Sequence, residues 1–145
     1  PDLVLTTDII VGFPGETEED FADTLSLVEQ VEYDAMFTFL FSPRPGTPAA
    51  ELPDPTPREE KQARFDRLLE TANAISARKH AAYVGTTQRV LVDGTDEARP
   101  GTLCARTNGG RLVRFAGGTQ LVGTFADVRI TGCSTWALDG TLCGE

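Results

Sequence analysis

The stretch Thr6-Thr7-Asp8-Ile9-Ile10-Val11-Gly12-Phe13-Pro14-Gly15-Glu16-Thr17-Glu18-Glu19-Asp20-Phe21 decides the fold. Residues 1–11 are predicted to form one strand buried on both faces, because they end in its β-branched run just before a glycine. A helix start follows at once, because Thr17 is a good N-cap and Asp20 occupies the capping-box position. Strand, glycine turn and capped helix make one βα unit. Parallel α/β folds bind ligands at the C-terminal ends of their strands, where this turn lies.

The residues after this unit predict a second parallel strand beside the first. A helix is expected over about residues 18–32, and the uncharged apolar run 35–41 then indicates another strand buried on both faces. Strand, helix and strand at this spacing predict a βαβ unit. The second strand ends in the Pro-rich loop 42–48, so we expect Arg44 at the same end of the sheet as the Gly12–Glu16 turn.

A long helix is predicted to connect this α/β part to a different kind of domain. It begins after Thr56, the expected N-cap, and continues to about residue 82. Its apolar stripe consists of Phe65, Leu68, Leu69, Ala72 and Ile75. The single histidine, His80, lies in the last turn, a position typical of a surface residue that interacts with the helix dipole.

The C-terminal region has the pattern of a small barrel. Short strands are predicted at residues 88–94, 103–107, 111–115, 124–131 and 135–142, with glycine-rich turns between them. Five such strands indicate a closed antiparallel barrel. The predicted fold class is therefore α/β followed by all-β, with domains at 1–82 and 83–145.

Charge is distributed unevenly between these two regions. Residues 1–82 have 7 Lys and Arg against 16 Asp and Glu, whereas residues 83–145 have 6 Arg against 6 Asp and Glu. The net charge of −9 therefore belongs to the first region and does not exclude nucleic-acid binding by the second. No apolar run long enough for a membrane span and no signal peptide are found, so a cytoplasmic protein without a membrane partner is expected.

The cysteines and the first residue carry two further expectations. Cys104, Cys133 and Cys143 lack CxxC spacing, which favours reduced thiols largely buried in strands over a metal site. The chain begins at Pro1 without a methionine, and we interpret it as a fragment of a longer protein.

The barrel region contains candidates for an RNA-binding surface. Its arginines could face RNA or merely solvate the outer faces of strands, and for Arg129 the second interpretation is favoured. Single-strand binders combine basic groups with aromatic platforms. The aromatic residues Phe115, Phe125 and Trp136 are available, although most are expected inside so small a barrel. The Gly12–Glu16 turn by itself is neither a P-loop nor a dinucleotide fingerprint, and a plain tight connection would explain it equally well.

Taken together, three segments resemble the radical SAM methylthiotransferase family. They are Thr7-Asp8-Ile9-Ile10-Val11-Gly12-Phe13-Pro14-Gly15-Glu16-Thr17, Phe41-Ser42-Pro43-Arg44-Pro45-Gly46-Thr47-Pro48-Ala49-Ala50, and Ala105-Arg106-Thr107 within a barrel that resembles a TRAM domain. The second segment favours the MiaB-type tRNA branch over the branch that modifies a ribosomal protein. The resemblance covers essentially the whole chain. It implies the last βα units of a partial (β/α) radical SAM barrel with a connecting helix, followed by a TRAM/OB-like RNA-binding barrel.

The resemblance also implies a reaction and its cofactors. Members of this family use S-adenosylmethionine and two 4Fe-4S clusters to add a methylthio group to C2 of N6-isopentenyladenosine next to the tRNA anticodon. The implied partners are the tRNA anticodon stem-loop, an upstream radical SAM core, an N-terminal methylthiotransferase domain and a reducing electron donor. This chain has no CxxxCxxC motif, so the cluster ligands are expected outside it, and the fragment alone is not expected to be active.

Residue roles follow from the resemblance position by position. The cofactor-binding residues that it implies near the adenosyl group are Ile10, Gly12, Phe13, Pro14, Gly15, Glu16, Phe41 and Ser42. The substrate- and RNA-binding candidates are Arg44, Arg89, Arg106, Arg111 and Arg114. No catalytic or metal-binding residue is expected in this chain. The alternatives are methylthiolation of another tRNA adenosine or of a ribosomal protein, and a non-catalytic RNA-binding module.

Overall fold

A computed structural model describes residues 3–144. In chain order its elements are β1 (Thr6–Val11), α1 (Glu18–Val31), β2 (Ala35–Leu40), α2 (Arg58–Ala81), β3 (Thr87–Thr95), β4 (Thr102–Thr107), β5 (Leu112–Ala116), β6 (Phe125–Cys133) and β7 (Leu138–Leu142). Two 3-10 turns lie at Pro48–Glu51 and Thr119–Leu121. The chain divides into two compact units, one of residues 4–75 and one that contains the barrel and begins at Ser76, so the division falls inside α2.

In the first unit, β1 and β2 form a parallel two-stranded sheet, as the βαβ spacing predicts. Their register runs from Thr6 opposite Ala35 to Val11 opposite Leu40. The core of this unit joins one face of the sheet to both helices. Its fully or almost fully buried members are Val11, Phe21, Val28, Leu68 and Ile75.

The prediction that both strands are buried on both faces is wrong for this unit. Ile10, Phe37 and Phe39 are 54%, 63% and 52% exposed. The partly buried residues Ile9 and Met36 pack into the same cluster as Val11, so α1 and α2 cover only the face on which these side chains lie. The strands are apolar on both faces, but the helices of this unit pack on one of them.

The predicted capping box begins α1. The Thr17 side chain accepts a hydrogen bond from the backbone N–H of Asp20 (3.1 Å), and the Asp20 carboxylate accepts one from the backbone N–H of Thr17 (2.8 Å). These bonds lower the pKa of the Asp20 carboxyl, since they favour its ionised form. The helix ends at Glu32 in the left-handed region (φ 51°).

In the second unit, the five strands close into a barrel in the order β3-β4-β5-β7-β6. The prediction of a fully antiparallel barrel is wrong at one pair, because β5 and β7 are parallel, with Val113 opposite Leu138. The reason is arithmetic: strand direction cannot alternate all the way around a ring with an odd number of members. The barrel interior is filled by Val90, Val92, Leu103, Ala105, Val113, Phe115, Val128, Ile130 and Leu138.

The last strand is shorter than predicted. It begins at Leu138, because the preceding residues turn instead of extending: the backbone N–H of Ser134 donates to the carbonyl of Ala137 (2.8 Å), and the Ser134 hydroxyl accepts from the N–H of Ala137 (3.1 Å). Further along β7, a Cβ on Gly140 would lie 2.6 Å from the carbonyl oxygen of Arg129. Only glycine therefore permits this close approach of β6 and β7.

The surface position predicted for His80 is also wrong, because this side chain is 5% exposed. Its Nδ1 lies 2.8 Å from the carbonyl oxygen of Ser76, which accepts the proton of that nitrogen. Its Nε2 lies 3.4 Å from Nη1 of Arg111, which donates. The Ser76 hydroxyl donates to the carbonyl of Thr135 (2.7 Å). The last turn of α2 is thus covered within the barrel unit.

The cysteines are less buried than the sequence predicts. Cys133 is exposed, and Cys104 and Cys143 are partly exposed, all as free thiols. Cys104 alternates along β4 with the core residues Leu103 and Ala105 and therefore lies on the outer face of the barrel. Cys133 is the last residue of β6, and Cys143 follows β7.

Candidate functional site

The C-terminal ends of β1 and β2 lie side by side. The backbone N–H of Phe41 donates to the carbonyl of Val11 (2.8 Å), and the rings of Phe13 and Phe41 meet edge to face with centroids 5.1 Å apart. The Gly12–Glu16 turn and the Phe41–Ser42 segment are therefore neighbours at one end of the sheet. Arg44 is exposed in the loop that leaves this end.

The turn after β1 owes its shape to its sequence. The backbone N–H of Glu16 donates to the carbonyl of Phe13 (2.9 Å), with Pro14 and Gly15 between them. Gly15 has φ +86°, and proline followed by glycine at positive φ is the pattern of a type II turn. Gly12 also has positive φ (+74°), and a Cβ there would lie 2.8 Å from Cδ of Lys61, so α2 packs directly on this glycine.

The buried side chain of Arg64, from α2, binds the turn at Glu16. We call Arg64 and its carboxylate partners Glu16, Glu18 and Glu60 the Arg64 cluster. Arg64 is 3% exposed. Its Nη1 donates to the Glu16 carbonyl (2.9 Å) and lies 3.3 Å from the Glu16 carboxylate, its Nε donates to Glu18 (3.2 Å), and its Nη2 pairs with Glu60. The Glu16 carboxylate also accepts from the N–H of Gly12 (3.0 Å).

In the Arg64 cluster one guanidinium faces three carboxylates, and these contacts shift the pKa of Arg64 and of Glu18. Burial by itself would lower the pKa of Arg64, but hydrogen bonds with Glu16 and Glu18 and the charge of Glu60 raise it above the ordinary value. A hydrogen bond from Arg67, with Arg64 close by, lowers the pKa of Glu18. The carboxylate of Glu16 is thus engaged inside the protein, and the groups that this turn offers to a ligand are its main chain and apolar side chains.

Beside the turn, the uncovered face of the sheet is apolar. Ile10 is opposite Phe39 in the sheet, and Phe13 is 44% exposed at its end. Exposed aromatic and aliphatic side chains at the C-terminal end of a parallel sheet make a surface suited to a flat ring system. An adenine ring has this chemistry, and the residues present therefore fit the adenosyl part of S-adenosylmethionine.

The barrel unit has a pocket of its own, which we call the Phe125 pocket. Its volume is about 370 Å³, and it is lined by Arg89, Leu91, Arg106, Thr107, Asn108 and Phe125. Phe125 is 62% exposed, and the Arg89 guanidinium lies over its ring, 5.1 Å from the centroid. Arg106 pairs with Asp93 (3.2 Å) on the same surface.

The other candidate arginines occupy different surroundings. Arg111 is 7% exposed and lies over the ring of Tyr83 at 5.0 Å, so the structure does not bring it to the surface that Arg89 and Arg106 share. Arg114 is partly exposed and lies 3.0 Å from Asp96. Arg129 is exposed on the outer face of β6.

The aromatic residues of the barrel divide between core and surface. Phe115 is buried, as expected, whereas Phe125 and Trp136 are more than half exposed. Phe125 has the same parity along β6 as the polar residues Asp127 and Arg129, and this alternation in the sequence is a signal that could have placed it outside. The Arg64 cluster had no such signal, because it joins residues almost fifty positions apart.

Within residues 3–144, the structure shows neither a metal-binding group nor a membrane-spanning helix. No three His, Cys, Asp or Glu side chains are grouped closely enough to hold a metal ion. No helix of this part of the chain combines the length and the apolar character needed to cross a bilayer. The residues described here therefore do not fit an iron–sulfur cluster.

Comparison with known proteins finds matches to both parts of the chain. Residues 81–143 match the model of the TRAM domain. The chain is 51% identical over 140 residues to a tRNA-2-methylthio-N(6)-dimethylallyladenosine synthase of Clostridium botulinum (strain Langeland), a match that covers 97% of the chain and 31% of the relative. It is 51% identical over 142 residues to the synthase of that name in Symbiobacterium thermophilum (98% and 30%) and over 144 residues to that of Alkalilimnicola ehrlichii (99% and 32%).

The chain spans about a third of the length of these curated relatives. Within that span, about half of the aligned residues are identical, and the match includes both the βαβ unit and the barrel. Residues 81–143 therefore match a TRAM domain, and almost the whole chain is similar to the matching third of the tRNA-2-methylthio-N(6)-dimethylallyladenosine synthases.

Proposed function

We propose that this chain is the C-terminal part of a tRNA methylthiotransferase. In this role its βαβ unit contributes one edge of an S-adenosylmethionine site, and its TRAM barrel binds the anticodon stem-loop. The observation that carries the proposal is the adjacency of the Gly12–Glu16 turn and the Phe41–Ser42 segment, on a chain that also carries an RNA-binding type of barrel. The names of the relatives support the same conclusion.

The residues of the first unit have defined tasks in this proposal. Ile10, Phe13 and Phe41 offer apolar surface to the adenosyl group, while the main chain of Pro14, Gly15 and Ser42 offers hydrogen bonds. When bound, S-adenosylmethionine would supply the adenosyl radical and the methyl group. Arg64 is a positioning residue that does not touch the ligand itself. It binds the carbonyl and carboxylate of Glu16 and so keeps the turn rigid.

The second unit has the task of holding RNA. The proposed RNA-binding side chains are the exposed Arg89 and Arg106, the half-buried Arg114 and, from the loop after β2, Arg44. Phosphate neutralisation by arginine supplies affinity that falls with rising salt. The barrel region has no net charge, so a few well-placed arginines have to provide this affinity.

The two 4Fe-4S clusters of the proposed reaction have no ligands among the described residues. We propose that the cluster ligands, the rest of the radical SAM barrel, the methylthiotransferase domain and the contact with an electron donor belong to a longer polypeptide in the cytoplasm. This chain by itself should therefore bind RNA without modifying it.

A chimaeric enzyme tests the proposed function. The matching region of the Clostridium botulinum synthase, about 31% of that protein, is replaced by this chain, and methylthiolation of tRNA is measured by mass spectrometry of the nucleosides. We expect the chimaera to form the methylthio product. A matched chimaera without residues 81–143 should lose most of this activity. A folded, cluster-loaded chimaera that leaves the tRNA unmodified would refute the proposal.

A non-catalytic RNA-binding module is the second candidate, and the TRAM match at residues 81–143 is the observation that favours it. The same experiment separates the two candidates. A module without a catalytic task would bind tRNA but would give a chimaera without activity, whatever the state of its clusters.

A further inference from the structure

Two exposed apolar side chains, Phe125 and Leu91, lie side by side on the outer face of the barrel and are not part of its core. Phe125 of β6 is opposite Leu91 of β3, and Leu91 is in turn opposite Arg106 of β4. These three side chains therefore form one line across three strands. Phe125 and Leu91 are 62% and 40% exposed. An exposed aromatic ring and an aliphatic side chain beside arginines, all lining one pocket, are typical of a ligand-binding surface.

Arg89 adds a second planar group to this surface. Its guanidinium lies over the Phe125 ring at 5.1 Å from the centroid, and it forms no ion pair with any residue of 3–144. Arginine and aromatic rings both stack on nucleobases, and each base presents a π-face for this contact. The pair is thus arranged for a flat ligand and keeps a full positive charge beside it.

Polar groups at the rim match the edges of such a ligand. Asn108 is exposed in the turn after β4, and its amide can both donate and accept hydrogen bonds. Arg106 shares its charge with Asp93 at 3.2 Å, but both side chains are about half exposed, so the guanidinium still faces solvent. The pocket volume of about 370 Å³ is at the small end of ligand sites and suits a single nucleoside.

We propose that the Phe125 pocket binds one unstacked nucleobase of single-stranded RNA. The base stacks on Phe125 and Arg89, its edge meets Asn108, and Arg106 contacts the adjacent phosphate. This inference rests on the proposed function in that the ligand is RNA, and it assigns a specific subsite to that RNA. A duplex is a poor ligand for this subsite, because its bases are already paired and stacked.

Binding measurements on the 145-residue chain test the subsite. The probe is a fluorescent hairpin RNA with an unpaired loop, compared with a blunt duplex of the same stem, in fluorescence anisotropy titrations at several salt concentrations. We expect Phe125→Ala to weaken hairpin binding by about 5- to 150-fold. Phe125→Tyr should keep most of the affinity. Trp136→Ala is the matched control, because Trp136 is equally exposed (68%) but does not line the pocket.

Two further readouts separate stacking from charge. The slope of log affinity against log salt should be unchanged in Phe125→Ala and should flatten by about 0.7 in Arg106→Ala, which removes one phosphate contact. A 2-aminopurine placed in turn at each loop position should be quenched on binding at one position, and Phe125→Ala should abolish this quenching.

The outcomes distinguish this inference from the function on which it rests. If the wild-type chain binds the hairpin and Phe125→Ala binds it equally well, the subsite is refuted while RNA binding stands. Equal losses in Phe125→Ala and Trp136→Ala also refute it. A wild-type chain that binds neither RNA refutes the RNA-binding part of the proposed function together with the subsite.

Discussion

Removing the guanidinium of Arg64 should destabilise the α/β unit, because this buried side chain binds the Gly12–Glu16 turn. In Arg64→Ala, the Glu16 carbonyl and carboxylate lose donors at 2.9 and 3.3 Å in a largely buried position, where the Glu16 side chain is 12% exposed. An unpaired buried acceptor costs about 1–3 kcal/mol, although Glu16 keeps the N–H of Gly12. The pairs with Glu18 and Glu60 add little, because both carboxylates are about half exposed.

Together these contributions give a loss of about 2–4 kcal/mol in the free energy of unfolding. For a unit of this size, the midpoint of thermal unfolding should fall by about 10–30 °C. Circular dichroism and calorimetry of the 145-residue chain measure this change. Arg67→Ala is the matched control, because Arg67 also pairs with Glu18 from α2 but is 50% exposed, so it should cost less than about 1 kcal/mol.

Acidification provides a second measurement on the same pair of variants. The folded-state pKa of Glu18 is lowered by Arg67 and Arg64, so its stabilising contribution is present above the ordinary Glu pKa of 4.5 and is lost as the pH falls below it. Arg67→Ala should therefore show a weaker loss of stability in acid than the wild type, and Arg64→Ala a smaller difference in the same direction, because the hydrogen bond from Arg67 is the larger cause. Equal destabilisation by Arg64→Ala and Arg67→Ala at neutral pH would refute the reasoning, because it would mean that the burial of Arg64 has no energetic consequence.

Three further predictions follow from the local geometry. Gly12→Ala should lower the midpoint of thermal unfolding more than Gly15→Ala does. Both residues have positive φ, but only a Cβ at position 12 would contact Lys61, at 2.8 Å from its Cδ. Equal effects of the two substitutions would contradict this prediction. Asp20→Asn should lower the free energy of unfolding at neutral pH. The difference in unfolding free energy between variant and wild type should become smaller as the pH falls below 3.8, because the capping-box bonds lower the pKa of Asp20. Chemical denaturation at several pH values measures this difference, and a value that does not change with pH would contradict the prediction. Arg111→Ala should lower thermal stability and leave the salt slope of RNA binding unchanged, since its side chain is buried; a flatter slope in the folded variant would show that it contacts phosphate.

The sequence predicts the βαβ unit well because local signals agree with one another there. The capping box at Thr17, the two apolar runs and the glycine turn each indicate the same boundaries, and the observed elements begin and end within a few residues of them except at the start of β1. Burial was harder to predict. An apolar strand such as β2 does not show which of its faces the helices of its own unit will cover.

The closed five-stranded barrel was predicted, but the parallel pairing of β5 with β7 and the buried polar contacts were not. The alternation of apolar and polar residues along β3 places Val90 and Val92 inside the barrel. The same alternation along β6 places Phe125 on the outer face with Arg129, and this signal could have been used. The burial of His80 could not be predicted in this way. It depends on Arg111, which is 31 positions away, and local sequence gives no information about such a contact.

The Arg64 cluster shows the same limit in the candidate site. The sequence indicates the turn residues, because glycine and proline have strong local preferences. It does not indicate that an arginine 48 positions later will occupy the buried stripe of α2, where an apolar residue is the ordinary expectation.

The parallel pairing of β5 with β7 has a consequence for how the protein is made. β7 pairs with β5 on one side and with β6 on the other, so the open sheet closes into a barrel only when β7 is added. Until the ribosome has released Leu138–Leu142, two sheet edges are open to pairing with other nascent chains. The barrel unit should therefore acquire protease resistance in a single late step of synthesis, and not strand by strand.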